Sequence, residues 1–140
     1  NHLESSILQS LSVIKNKGNF HFSLVADGSL KELKESCQNC DVPLSVNNFI
    51  DQKNLEVILR KLNLDYQIKT QTIILEYQDF YSLLKSIKSI GAGYSENRQY
   101  IGKKQFEKIA SFYLKNFNLN NKVLATWQVI FTSIKPNKNV

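Results

Sequence analysis

The stretch that most limits what this chain can fold into is Val123 to Ile134, VLATWQVIFTSI. Read as a strand, it puts Val123, Ala125, Trp127, Val129 and Phe131 on one face and Leu124, Ile130 and Ile134 on the other. Side chains alternate across a strand, so apolar residues on both faces call for cover on both. A strand inside a covered sheet is predicted here, and the remaining residues must supply its neighbours.

Two further segments qualify as strands. In Phe20 to Ala26, the residues Phe20, Phe22 and Leu24 alternate with His21 and Ser23, and Val25 and Ala26 extend the apolar run, which predicts a mostly buried strand. Leu64 to Tyr77 reads as a long strand whose pattern slips. Ile68, Thr70 and Thr72 share one side, but Ile73, Leu75 and Tyr77 follow in the other register, so a bulge or bend is expected near Thr72.

Five helices are expected around these strands. Leu3, Ile7, Leu11 and Ile14 recur at helical spacing over residues 3 to 17, with Leu8 widening the face and Gly18 closing it. After the first strand, Gly28 can take a dihedral other residues avoid, and either Asp27 or Ser29 caps the helix that follows. Ser29 stands three residues before Glu32, the spacing of a capping box. Pro43 stops that helix, and Phe49 and Ile50 pack ahead of an Asp51 cap. Leu55, Ile58, Leu59 and Leu62 line the third helix, which Asn63 closes. Asp79 caps a fourth carrying Phe80, Leu83, Leu84, Ile87 and Ile90 and ending at Gly91. A fifth, from about Lys103, buries Phe106, Ile109, Ala110, Tyr113, Leu114 and Phe117, and NLNNK forms a turn into the last strand. Three strands against five helices make a thin α/β sheet, as expected of the second half of a larger one. The sequence contains neither a GxGxxG nor a GxxxxGK[ST] loop, and its GAG at Gly91 to Gly93 follows a helix rather than a strand.

Net charge is +6, with 10 basic and 10 acidic residues in positions 1 to 90 but 8 basic and 2 acidic in 91 to 140. A field concentrated in this way suits an acidic protein, a phosphate-bearing ligand or a nucleic acid; a merely solvated face is the alternative. With Arg60 and Arg98 the only arginines and no basic run, nucleic acid is the poorest fit. Cys37 and Cys40, in CQNC, suit free thiols in a reducing compartment, a redox pair or half a zinc site. No second cysteine pair exists and His2 and His21 lack zinc spacing to them, so no metal is expected. There is no run of 18 apolar residues and no signal-peptide pattern. No membrane association is expected, and the expected location is cytoplasmic. A chain starting Asn1-His2-Leu3 without methionine is not expected to be a whole translation product. The loop from Gly91 to Gly102, GAGYSENRQYIG, carries Tyr94, Asn97, Arg98 and Tyr100, residues that suit either a ligand grip or a solvent-facing lid.

Taken in order, FHFSLVADGSLKEL, VNNFIDQKNLEVILRKLNL, FYSLLKSIKSIGAG, KKQFEKIASFYL and LATWQVIFTSIKP resemble the C-terminal half of the biotin-synthesis methyltransferases that esterify malonyl-acyl carrier protein. The mitochondrial complex I assembly methyltransferase-like proteins are close relatives of that family. The resemblance spans nearly all 140 residues. It implies a class I, Rossmann-like S-adenosylmethionine-dependent methyltransferase fold, in which residues 20 to 26, 65 to 77 and 123 to 134 are strands five, six and seven. Strand seven then returns antiparallel between its neighbours. The chain becomes one partial methyltransferase domain, with residues 79 to 117 a helical insertion covering the acyl substrate.

The resemblance also implies functional residues. Arg98 would orient the malonyl carboxylate with Tyr94 and Tyr100 as lid residues, and Ser23, Asp27, Gly28 and Ser29 would border the pocket. Lys103, Lys104 and Lys108 would meet the acidic carrier protein. The family binds S-adenosylmethionine through a glycine-rich loop after strand one and an acidic residue ending strand two, and neither element is among these residues. The chain alone is therefore not expected to bind the cofactor well or to be active. It is expected to pair with the missing N-terminal half or with a second copy; the rival expectation is a non-enzymatic scaffold derived from a methyltransferase.

Overall fold

The computed structural model describes residues 2–15, 17–43, 46–92 and 101–135. Five helices and four strands follow in the order α1 (His2–Ser12), β1 (Phe20–Ala26), α2 (Lys31–Asn39), α3 (Gln52–Lys61), β2 (Asp65–Tyr77), α4 (Phe80–Ser89), α5 (Lys103–Asn116), β3 (Asn118–Leu119) and β4 (Lys122–Lys135). The sheet order is β1-β4-β2, with β3 pairing β4 as a hairpin. β1 and β4 are antiparallel, in register from Phe20 opposite Ile134 to Ala26 opposite Gln128. The last strand thus lies between the other two, as the resemblance implied.

Local chemistry accounts for most element ends. Asp51 accepts the N–H of Asn54 at 2.7 Å and Asp79 that of Ser82 at 2.7 Å, each satisfying a donor that the first turn of a helix leaves unpaired. Asn63 (φ 52°) follows the end of α3 and Gly91 (φ 74°) that of α4 in the left-handed region. Asn120 and Asn121, at φ 50° and 61°, form the two-residue connection between β3 and β4, where a mirror-image turn matches the twist of the strands.

The chain divides into two compact units. In the first (Asn1–Asp27, Ile50–Gln71, Gln128–Val140) Ile130 and Ile134 of β4 and Ala26 of β1 form a core with Ile7 of α1 and Leu55, Ile58 and Leu59 of α3. Phe20, Phe22, Leu24, Tyr66 and Ile68 pack at its edge. In the second (Gly28–Phe49, Thr72–Trp127) α2 packs on α5 and α5 on α4. The Tyr113 ring, fully buried, lies 5.2 Å from that of Phe80 and 5.3 Å from that of Phe117. Val123, Ala125 and Trp127 of β4 are buried in this unit.

Several expectations need correction. β1 is half-buried rather than mostly buried, because His21 and Ser23 point to an open face and only Ala26 is fully enclosed. α1 ends at Ser12, leaving Val13 exposed, and Leu8 lies outside the packed stripe. Ile90 and Leu114 are likewise exposed. In β2 the less exposed residues are Tyr66 and Ile68 and then Ile73 and Tyr77, so the parity of burial changes near Thr72, as the sequence slip predicted. β4 shows the same change, from Val123, Ala125 and Trp127 to Ile130, Thr132 and Ile134. This explains why both faces of that strand are apolar.

Candidate functional site

Ser23 lies on the open face of β1, where its neighbours on the paired strands form a shallow cavity of about 520 Å³. His21, Gln67, Lys69, Phe131 and Ser133 line the cavity beside it. Phe131 is partly exposed there, an apolar floor between hydroxyls and the nitrogen-bearing side chains of His21, Gln67 and Lys69. Among the described residues no carboxylate lines the cavity. A sulfonium cation joined to a ribose calls for negative charge and diol acceptors, so this cavity does not fit S-adenosylmethionine.

Asp27, Gly28 and Ser29, expected as further pocket wall, do not line this cavity. The N–H of Asp27 donates to Ile50 O at 3.0 Å, beside a parallel bridge between Ala26 and Ile50. Gly28 has φ 90°, a backbone that side chains oppose, and the turn does depend on it. The cap position is not the expected one: α2 starts at Lys31, and Leu30, at φ 57°, precedes it without a side-chain cap. Glu32 is instead buried and turned to β4. Its Oε2 accepts the N–H of Thr126 at 3.0 Å, and its Oε1 accepts the Thr126 hydroxyl.

This buried polar cluster is what the sequence reading missed. The Tyr113 hydroxyl donates to Leu124 O at 2.6 Å, and Trp127 Nε1 donates to the Tyr77 hydroxyl at 3.1 Å. Burial first, then the charge of Glu32 and then Tyr77, push the Tyr113 phenol well above its ordinary pKa. It is held neutral as a donor. No sequence spacing connects Glu32 with Thr126, which are 94 residues apart.

Arg98, Tyr94 and Tyr100 lie outside the described residues. Just before that segment, Asn47 anchors the end of α4: its N–H donates to Ala92 O at 2.9 Å and its Nδ2 to Gly91 O at 3.2 Å. Lys103, Lys104 and Lys108 are exposed on α5, with Lys103 Nζ 4.0 Å from Glu107. Cys37 and Cys40 are both free and buried. Burial, aided by Cys40, pushes the Cys37 thiol up to about 11, which makes it a poor nucleophile or ligand. Among the described residues no cluster of three metal-ligating side chains occurs, and no helix is long and apolar enough to cross a membrane.

No family model matches the chain. Curated relatives do. A malonyl-[acyl-carrier protein] O-methyltransferase of Nitrosospira multiformis is 25% identical over 94% of this chain and 44% of its own length. Proteins of the same name from Gallionella capsiferriformans and Methylovorus sp. are 23% and 24% identical, each over 94% of this chain and over 46% and 45% of their own lengths. This chain thus spans less than half the length of the relatives it matches and corresponds to their C-terminal half. Among solved structures, the YcgJ protein of Bacillus subtilis superimposes with a TM-score of 0.51 at 14% identity, covering 96% of this chain and 58% of that one. That likeness concerns the fold.

Proposed function

Because the chain is similar over nearly its whole length to the C-terminal half of the malonyl-[acyl-carrier protein] O-methyltransferases, we propose that it forms that half of such an enzyme. The reaction is transfer of a methyl group from S-adenosylmethionine to the free carboxylate of a malonyl-carrier protein, in the synthesis of biotin precursors. The observation that carries this reading is the match across 94% of the chain. The placement of β4 between β1 and β2 supports it.

A malonate carboxylate is already a nucleophile at neutral pH, so no general base is needed. What this half contributes is position and charge matching. Arg98 takes both carboxylate oxygens in its planar fork, with Tyr94 and Tyr100 closing over the acyl chain, and α4 and α5 form the cover. S-adenosylmethionine supplies the methyl group when bound. The lysines of α5 receive the acidic carrier protein.

In the protein carrying both halves, malonyl-carrier protein should be methylated and acetyl-carrier protein, which lacks the free carboxylate, should not. Arg98→Ala should lower kcat/KM by about tenfold or more, as expected for loss of a bidentate carboxylate contact. Equal methylation of both acyl groups would exclude this reading. Methyl transfer to neither would leave the scaffold role.

A further inference from the structure

The lysines of α5 are not equivalent. An α-helix advances about 100° per residue, so Lys104, Lys108 and Lys115, at spacings of four and seven, fall within about 40° of arc. They form one stripe about 16 Å long at 1.5 Å rise per residue. All three are exposed, and none has a carboxylate within ion-pair distance among the described residues. Lys103 differs: it lies off the stripe and faces Glu107 at 4.0 Å.

Local energetics do not explain the stripe. The first turn of α5 holds Lys103 and Lys104 and no acidic residue, although the partial positive charge of a helix N-terminus disfavours cations there. The start is capped by Gln105, whose Oε1 accepts the Gly102 N–H at 3.1 Å, so the lysines do not stabilise it. A row of exposed, unpaired cations along one helix face fits the acidic face of a partner helix.

We propose that the Lys104–Lys108–Lys115 stripe is the docking surface for an acidic helix of the carrier protein, and that Lys103 is not part of it. The identity of the partner rests on the proposed function; the surface rests on the geometry of α5. Docking brings one carboxylate row against one ammonium row, so it steers encounter and weakens with salt. It does not depend on the acyl group.

The test is titration calorimetry of this protein with unacylated carrier protein, for the wild type, K103A and K104A/K108A/K115A. Alanine is a strong helix former, and circular dichroism checks that α5 persists. The triple variant should bind about tenfold more weakly or worse, with a flatter dependence on salt, whereas K103A should stay within about twofold of the wild type. A wild type that does not bind, a triple variant that binds as tightly as wild type, or a K103A loss equal to that of the triple variant would overturn the docking surface. A methylation assay in the protein carrying both halves separates the two readings. Docking without methyl transfer contradicts the proposed reaction alone, and methyl transfer undiminished by the triple substitution contradicts the docking surface alone.

Discussion

Glu32 and Thr126 are joined twice: Oε2 of Glu32 accepts the Thr126 N–H at 3.0 Å, and Oε1 accepts its hydroxyl. The ladder between β1 and β4 stops at Ala26 opposite Gln128. At Thr126 the carbonyl accepts the N–H of Leu30 at 2.7 Å, and the carboxylate of Glu32 takes the N–H. A side chain thus does what a neighbouring strand would do, and it fixes α2 to the sheet. Glu32 also sits in the first turn of α2, where the helix dipole favours its charge.

Glu32→Ala leaves the buried Thr126 N–H without its acceptor and should destabilise by about 1–3 kcal/mol. Glu32→Gln retains a carbonyl for that N–H and should cost less than half as much. Urea unfolding midpoints of the two variants decide the matter, and equal losses would show that the charge rather than the acceptor matters.

Thr132 carries the opposite defect. It is 3% exposed on the packed face of β4, opposite Phe22, and its hydroxyl has no hydrogen-bond partner among the described residues. Thr132→Val keeps the shape and removes the stranded hydroxyl, so it should raise stability by about 1 kcal/mol. A thermal melt that moves down instead would mean that the hydroxyl is satisfied.

The cap of α3 gives a local prediction. Asp51→Ala removes the acceptor of the Asn54 N–H and should cost about 1 kcal/mol. Asp51→Ser should recover most of it. Hydrogen exchange should show the loss concentrated at residues 52 to 55.

These features differ in how far the sequence revealed them. Asp51, Asp79 and Gly91 were legible because a cap acts on residues within one turn, and Asn120-Asn121 because the turn they form needs residues that tolerate positive φ. The parity slip in β2 was legible in the alternation itself. The start of α2 was not, because Ser29 and Glu32 have capping-box spacing while the Glu32 carboxylate is held by a strand 94 residues away. The open side of β1 was also hidden: Phe20, Phe22 and Leu24 fill one face whether or not the other is covered. Lys103, Lys104 and Lys108 were legible as surface cations, but their separation into a paired lysine and an unpaired stripe needed the helix.

The cysteines yield a pH prediction. The Cys37 thiol is raised from 9.0 to about 11 in the folded protein, by burial and then by Cys40. A group whose folded pKa is raised favours the folded state fully below its unfolded pKa, and that contribution is lost as pH rises through the folded value. Tyr113, also raised, acts in the same direction further up. Unfolding midpoints should therefore fall between about pH 9 and pH 11. Alkylation of Cys37 at pH 8 should be slow in the native protein and fast in urea. Rapid native alkylation would contradict the burial of the pair.

The most direct test of the central claim is the intact mass of malonyl-carrier protein after incubation with S-adenosylmethionine and the protein carrying both halves. The account predicts a gain of one methyl group, located on the malonyl moiety as its methyl ester and formed about tenfold more slowly or worse when Arg98 is replaced by alanine. An unchanged mass, or a methyl group found anywhere but the malonyl carboxylate, would contradict it.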